Sequence, residues 1–351
     1  MIKSRTHIAT PPGATIKEQL IDRNISQKEF ACRMDMSEKH ISKLINGEVQ
    51  LTTDVAVRLE MVLGLPAHFW SNLESIFREK LVKIQIENSM DDDLEILRKI
   101  PYNDMVKNGW VESERQLRQR VYNCRKFFEV VNLGLLKDTP ISMRIVCRKL
   151  GNGEKSDYAL LACAQKAKLE ARNLQIKPIN IDKLKKSLTE IRKMTLRHPS
   201  VFISELHHLL AQCGIAIIFL PHVNGSFLHG VTFYDGNKIV IGMTMRGKDT
   251  DRFWFSLFHE IGHIVLGHLA MTNGTTDEDE NKADEFARDT LIPLSDFNDF
   301  VAKKSLDQSS ICEFAKSIGI DASIVVGRLQ KEHYIPFNRF NDLKTQVDIT
   351  S

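Results

Sequence analysis

The stretch from residue 253 to residue 268 is almost wholly apolar, yet it contains three polar side chains of the kind that carry chemistry. Apolar residues on nearly every face predict a helix that is buried in a folded domain. Gly267 suits the end of that helix. Burying unpaired polar groups costs free energy, so His259, Glu260 and His263 need partners.

The spacing of the two histidines indicates what those partners are. His259 and His263 are four residues apart, which places both imidazoles on one helix face, in the geometry of two ligands to one tetrahedral zinc ion. Glu260 projects about 100° away, where it can meet a zinc-bound water. A pair of core histidines satisfied by hydrogen bonds is the alternative. The helical context favours the metal site.

A third ligand has to come from elsewhere in the chain. Leu266 and Leu269 stand where a metzincin continues its motif with Gly and His, so that class is excluded. Glu280 is the stronger candidate, because Asp284 lies four residues on, on the same helix face, and can accept the free N–H of a zinc histidine. His268 is the second candidate. The Glu-x-x-x-Asp arrangement resembles the gluzincin peptidases such as thermolysin.

The N-terminal residues carry a second, independent signature. Ser26 and Ser37 each begin a short helix, and a three-residue turn joins the two helices within a run of five predicted helices. This is the pattern of a helix-turn-helix unit, whose second helix enters a DNA groove. We predict DNA contacts from polar residues of these two helices: Gln27, Ser37, Lys39, His40, Ser42 and Lys43. A five-helix interaction module is the alternative.

Patches along most of the chain resemble two known families. The early patches, which include residues 26–27, 37–44 and 69–70, look like the HigA-type antitoxin branch of the Xre helix-turn-helix family. The later ones, which include residues 253–263 and 291–293, resemble the ImmA/IrrE family of metallopeptidases in the form fused to such a domain. The resemblance implies zinc-dependent cleavage of a partner protein, often a transcriptional repressor, and so derepression.

We therefore expect an α+β chain, mostly helical, in three parts. Residues 1–80 form a five-helix helix-turn-helix DNA-binding domain, residues 81–177 a helical connector, and residues 178–351 a zincin-like domain of gluzincin type with a small sheet. The strand from Lys238 to Thr244 is the expected edge strand on which an extended substrate pairs its backbone. Zn²⁺ is the expected metal, and Mn²⁺ is the alternative, because His2Glu sites accept both.

These features predict a zinc-dependent endopeptidase coupled to a DNA-binding domain, with Glu260 as the general base. The expected partners are a DNA operator and a repressor or antitoxin protein as substrate, and a homodimer is compatible with the sequence. One alternative is a non-catalytic DNA-binding regulator or antitoxin that uses the zincin fold as a scaffold. Another is a binding partner in a toxin–antitoxin pair. Arg328, His333 and Tyr334 are candidates to stabilise an oxyanion, with a structural role as the alternative for each.

Composition argues against several other classes of protein. No apolar run approaches the length that spans a membrane, and the residues from Met1 onward lack the apolar core of a signal peptide, so we expect a cytoplasmic protein without membrane contact. The 6 cysteines are scattered without a close pair, which excludes a disulfide framework and a cysteine zinc site.

Overall fold

The chain folds as two compact units, residues 1–94 and 95–351, in a computed structural model. The structure describes residues 2–4, 7–88, 90–137, 145–146, 154–223, 230–244, 249–270 and 275–344. The expected α+β fold, mostly helical with a small sheet and an N-terminal helix-turn-helix domain, is confirmed. The predicted domain boundaries at residues 80 and 177 stay predictions.

Helices dominate the first unit. Two antiparallel strands of two residues each precede them, β1 (Ile2–Lys3) and β2 (Ile8–Ala9). The helices are α1 (Gly13–Asp22), α2 (Gln27–Arg33), α3 (Glu38–Asn46), α4 (Thr53–Leu63) and α5 (Ala67–Asn88). The sequence pattern does not predict these strands, because two residues are too few to show strand periodicity.

Local signals position the helices of the first unit. Ser26, Ser37 and Thr52 each accept a hydrogen bond from the backbone N–H three residues on, which satisfies a donor that the helix leaves unpaired. Gly47 ends α3 with a φ of 74°, a left-handed conformation that glycine adopts at little cost. The apolar faces of these helices then meet in one core that encloses Phe30 and the fully buried Trp70.

The second unit combines helices with a small sheet. Helix α6 (Asp91–Leu97) crosses the boundary between the units. The helices that follow are α7 (Tyr102–Lys107), α8 (Leu117–Phe128), α9 (Glu154–Ala171), α10 (Ile181–Lys193), α11 (Pro199–Gln212), α12 (Thr250–Val265), α13 (Asp277–Leu291), α14 (Leu294–Ala302), α15 (Gln308–Ile318) and α16 (Ala322–Lys331). Among the described residues, no helix is long and apolar enough to cross a membrane.

The described strands of the second unit are β3 (Ile145–Val146), β4 (Ile215–Leu220), β5 (Gly230–Asp235) and β6 (Lys238–Thr244). They lie in the order β3-β5-β6-β4, with β6 antiparallel to β5 and parallel to β4. The expectation that Lys238–Thr244 is an edge strand is therefore wrong. The physical reason is burial: residues 239–244 are all buried, as is typical of an interior strand with both faces covered.

Helix α12 lies in the core of this unit. Phe253, Trp254, Leu257 and Phe258 on it are buried, and they pack with residues of the sheet and the surrounding helices. The buried apolar surface holds the helix in place against β5 on one side and α13 on another. The polar residues of α12 are thereby fixed in position between a strand and a second helix.

Candidate metal centre

The three polar residues predicted from the buried helix all lie on α12. Glu260 and His263 are buried, and the side chain of His259 is 13% exposed. The helix ends at Val265, and Gly267 follows with a φ of 81°, as its predicted place at the helix end requires.

One ligand atom from each of His259, His263 and Glu280 lies within 4.8 Å of the other two. The two Nε2 atoms of the histidines are 3.0 Å apart, and the Glu280 carboxylate oxygens lie 3.4 Å from Nε2 of His259 and 3.6 Å from Nε2 of His263. Ligands at about 2.1 Å from a tetrahedral zinc ion are separated by ~3.4 Å. The spacing of these three side chains therefore fits a zinc ion and leaves a fourth position for another ligand.

Small residues allow Glu280 to reach the histidines. A Cβ on Gly262 would lie 3.0 Å from a ring carbon of Phe286 and 3.4 Å from Cα of Ala283. Helices α12 and α13 therefore approach closely at this point, with the buried Ala283 between them. The N-terminal end of α13 is fixed by a capping box, in which Thr276 and Asp279 bond to each other's backbone N–H groups.

Hydrogen bonds to other side chains hold two of the candidate ligands, His259 and Glu280. Nδ1 of His259 is 2.7 Å from Oδ1 of Asp284, which is the contact predicted from the spacing of Glu280 and Asp284. The hydroxyl of Thr275 donates to Oε1 of Glu280 at 2.6 Å. Partners of this kind fix the orientation of a ligand. Local sequence pattern gives no signal for Thr275, because only the path of the chain before α13 brings it to Glu280.

His268, the second candidate for third ligand, lies elsewhere in the site. Its Nδ1 is 3.0 Å from Nδ1 of His263, the nitrogen opposite the one that faces Glu280. Its Nε2 is 3.7 Å from Oδ1 of Asp279, and the residue is buried. The structure thus places His268 behind a candidate ligand, and Glu280 at the position where both Nε2 atoms point.

Glu260 has a partner on the sheet that sequence reasoning missed. The hydroxyl of Thr232, a fully buried residue of β5, donates to Oε2 of Glu260 at 2.5 Å. A Cβ on Gly230 would lie 2.5 Å from Oε1 of the same carboxylate, so the strand can pass the glutamate because this residue is glycine. The two residues are about 30 positions before Glu260, and only the packing of β5 on α12 brings them together.

The three ligand candidates have shifted pKa values. Burial acts to lower the pKa of His259, but hydrogen bonds to Asp284 and Glu280 outweigh it and raise that pKa to about 10. Burial and the neighbouring charge of His259 lower the pKa of His263 to about 4. Burial acts to raise the pKa of Glu280, but hydrogen bonds from His259 and Thr275 lower it to about 2. Two imidazoles this close cannot both be charged, so without a metal His259 holds the proton and faces the Glu280 carboxylate.

Arg328, one of the three oxyanion candidates, is engaged in the fold. Its Nη1 donates to the carbonyl of Ile292 at 2.6 Å, and its Nε donates to Glu332 at 2.8 Å. The guanidinium also lies 3.8 Å from the ring centre of Phe297. These contacts support the structural alternative for Arg328. Tyr334 and His333 are exposed and pack on Phe297 and Phe337, respectively.

The predicted DNA contacts lie on the surface of the first unit. Gln27, Lys39 and Lys43 are exposed, whereas His40 and Ser42 are half-buried. Ser37 is exposed, but its hydroxyl accepts the backbone N–H of His40 as the helix cap. The buried residues of α3 include Ile41 and Leu44, so the helix presents a polar face outward as the pattern predicts.

Comparison with known proteins adds to this geometry. A family model described as Helix-turn-helix matches residues 16–70, and a peptidase model described as the IrrE N-terminal-like domain matches residues 212–330. The chain is also 36% identical over 64 residues to the uncharacterized HTH-type transcriptional regulator YddM of Escherichia coli, a match that covers 18% of this chain and 68% of the relative. The chain belongs to the helix-turn-helix transcriptional regulators. It joins that domain to an IrrE N-terminal-like domain, which confirms the fusion expected from the resemblance.

The two matches divide the candidate residues between them. The helix-turn-helix match contains α2 and α3 with the six predicted DNA contacts, and such a domain binds DNA. The IrrE N-terminal-like match contains His259, Glu260, His263, Glu280 and Asp284, and also Thr232 and His268. Both sets of candidate residues therefore lie within the parts of the chain that a family model matches.

Proposed function

We propose that this protein is a zinc-dependent endopeptidase that cleaves a partner repressor or antitoxin protein and is coupled to a DNA operator through its first unit. The observation that carries the proposal is the convergence of His259, His263 and Glu280 at the spacing of a tetrahedral zinc site, with Glu260 directly after His259 on the same helix. Manganese is the alternative metal, because two imidazoles and a carboxylate suit both.

In this proposal His259, His263 and Glu280 hold the metal. A bound zinc ion supplies a Lewis acid for the scissile carbonyl and lowers the pKa of a coordinated water. Glu260 accepts a proton from the attacking water at a carboxylate oxygen and passes it to the leaving amine. Thr232 fixes one oxygen of that carboxylate by donating to it, and Gly230 leaves room for the other. Asp284 orients His259 by accepting a hydrogen bond from its Nδ1–H.

In the first unit, the exposed Lys39 and Lys43 contact phosphates, and Gln27 lies at the start of α2, where a phosphate or a base edge can be reached. His40, Ser42 and Ser37 complete the proposed surface. A homodimer would present two copies of α3 to two half-sites of an operator. Cleavage of a repressor would then relieve repression at the same promoter region, in the compartment that contains the DNA, here the cytoplasm.

The test replaces Glu260 by Gln, which keeps the size and the metal ligands but removes the proton acceptor. Parent and variant are loaded with one equivalent of zinc and incubated with the repressor or antitoxin encoded nearest to this chain, and mass spectrometry follows the cleavage. We expect the rate to fall by roughly 10²- to 10⁴-fold. Glu285→Gln, which changes an exposed glutamate of α13, is the matched control and should cleave like the parent.

The similarity to a transcriptional regulator supports a second candidate function, a DNA-binding regulator or antitoxin that uses the zincin fold as a scaffold. In that case Glu260→Gln would relieve repression in the cell as well as the parent does, and it would bind zinc and DNA equally well. That result, or the absence of cleavage by the zinc-loaded parent, would replace the peptidase proposal by the scaffold role. A stable complex with an intact partner protein would then favour a toxin–antitoxin pair.

A further inference from the structure

The two candidate histidine ligands are supported by different chemical groups. Nδ1 of His259 contacts a carboxylate, Asp284, at 2.7 Å. Nδ1 of His263 contacts a second imidazole, that of His268, at 3.0 Å. An imidazole that binds a metal through Nε2 carries its proton on Nδ1, so each Nδ1 must find an acceptor. The ionised carboxylate of Asp284 can always accept a hydrogen bond. The imidazole of His268 can accept one at Nδ1 only when its own proton is on Nε2.

A nearby carboxylate favours that tautomer of His268. Its Nε2 faces Oδ1 of Asp279 at 3.7 Å, an orientation that favours a proton on Nε2. The other oxygen of Asp279, Oδ2, accepts from the backbone N–H of Thr276 at 2.9 Å and from its hydroxyl at 2.6 Å. The capping box of α13 thus holds the carboxylate and leaves Oδ1 directed at the imidazole.

The backbone also places His268 for this contact. Gly267 has a φ of 81°, which turns the chain after α12, and a short 3-10 turn from His268 to Ala270 follows. The imidazole then lies beneath His263, with its ring centre 5.2 Å from that of His263. His268 is only 4% exposed, so solvent has little access to the contact.

We propose that His268, beside Asp279, is a positioning residue that fixes the tautomer and orientation of His263 for metal binding. The inference rests on the proposed metal site and extends it, because it adds a chain of three side chains, Asp279, His268 and His263, that links the cap of α13 to a ligand on α12. The same capped helix carries Glu280. Helix α13 therefore supplies one ligand directly and orients another through His268.

The test compares two substitutions at one position. His268→Leu removes the acceptor, whereas His268→Gln keeps a carbonyl oxygen that can accept from His263 and an amide that can donate toward Asp279. The control is His208→Leu, which removes an exposed imidazole from α11. Zinc affinity is measured by competition with a chelator, and the visible spectrum of the cobalt-loaded protein reports the ligand geometry.

We expect His268→Leu to weaken zinc binding by roughly 10- to 100-fold and to change the cobalt spectrum. His268→Gln should recover most of the affinity and the parent spectrum, and His208→Leu should match the parent in both. A parent that binds zinc, together with a His268→Leu variant of unchanged affinity and spectrum, overturns this inference alone. A parent that binds no metal overturns the proposed function and this inference with it.

A measurement on the parent protein covers the case in which His268→Leu does not fold. Long-range ¹H–¹⁵N correlation spectra of the zinc-loaded protein assign the proton on each imidazole nitrogen. The inference requires a proton on Nδ1 of His263 and on Nε2 of His268. A His268 ring with its proton on Nδ1 contradicts it, because that nitrogen would then donate and could not orient His263.

Discussion

Helix α3 of the first unit and helix α12 of the second both carry histidine and charged residues, but they use them in opposite ways. On α3 the apolar residues Ile41 and Leu44 face the core, and lysines extend into solvent. On α12, Glu260 and His263 are buried and His259 is half-buried, and each of the three contacts a side chain of another element. A surface for an external partner keeps its polar groups exposed, whereas a metal site needs them held by their neighbours.

This difference predicts that DNA binding and metal binding can be lost independently of each other. Changes on α3 should remove binding to DNA and leave the fold and the metal site intact, because the affected side chains extend outward. Changes on α12 should remove metal or activity and leave DNA binding intact. Four predictions test the comparison, starting with the largest expected effect.

The first concerns the metal ligands. His263→Ala removes one of the three proposed ligands, so we expect the purified variant to hold much less than one equivalent of zinc while it remains folded and binds DNA. Elemental analysis and far-UV circular dichroism check both statements, with His208→Ala as the control. Full metal occupancy in this variant and in His259→Ala would contradict the assignment of the site.

The second concerns the DNA surface. Changing Lys39, His40 and Lys43 together to Ala should abolish operator binding in a gel-shift assay, because two charges and one polar side chain are removed from the helix proposed to face the groove. Binding of the parent should also weaken steeply as salt rises, since phosphate contacts release counterions. Zinc content should stay at the parent value. An unchanged gel shift would favour the five-helix interaction module over the DNA-binding surface.

The third concerns the carboxylate behind His259. Asp284→Asn keeps an oxygen acceptor but removes the charge, so we expect a loss of roughly 10- to 100-fold in zinc affinity or cleavage rate. Asp289→Asn, a change on the same helix that leaves the contact to His259 intact, is the control. Equal zinc affinity and cleavage rate in parent and Asp284→Asn would mean that this contact does not support the ligand.

The fourth concerns pH. The pKa of His259 without metal is about 10, whereas that of His263 is about 4 and that of Glu280 is about 2. From about pH 6 to about pH 8, metal binding must therefore displace one proton, from His259, so the apparent zinc affinity should rise about tenfold per pH unit. Calorimetry in buffers of different ionisation enthalpy counts that proton. No proton release in this range would contradict the charge state inferred for the site.

The same pKa values bear on the stability of the metal-free protein. The pKa of His259 in the folded state lies above its ordinary value of 6.5, so protonation of His259 stabilises the folded state. This contribution to the free energy of unfolding is fully present below about pH 6. That contribution declines as the pH rises and is lost as it passes the folded-state pKa.

Sequence by itself determined the features that depend on neighbours along the chain. Ser26 and Ser37 predict their helix starts because a hydroxyl at the cap accepts a backbone N–H three residues on. His259 and His263 share a face because an α-helix repeats every 3.6 residues. The contact between Asp284 and His259 also follows the sequence expectation, because Glu280 and Asp284 are one helical turn apart. The ligand and base roles of these residues stay predictions.

Only the tertiary structure decided which distant segments meet. The order of strands, and with it the interior place of Lys238–Thr244, depends on pairing between segments that no local pattern encodes. Thr232 reaches Glu260 because β5 packs on α12, and Glu280 reaches the histidines because Gly262 and Ala283 let two helices approach. His268 is near His263 in sequence, yet its direction depends on the turn at Gly267 and on Asp279 of another helix. The spacing of residues in the sequence determines which of them share a helix face. Tertiary packing determines which other segments contact that face.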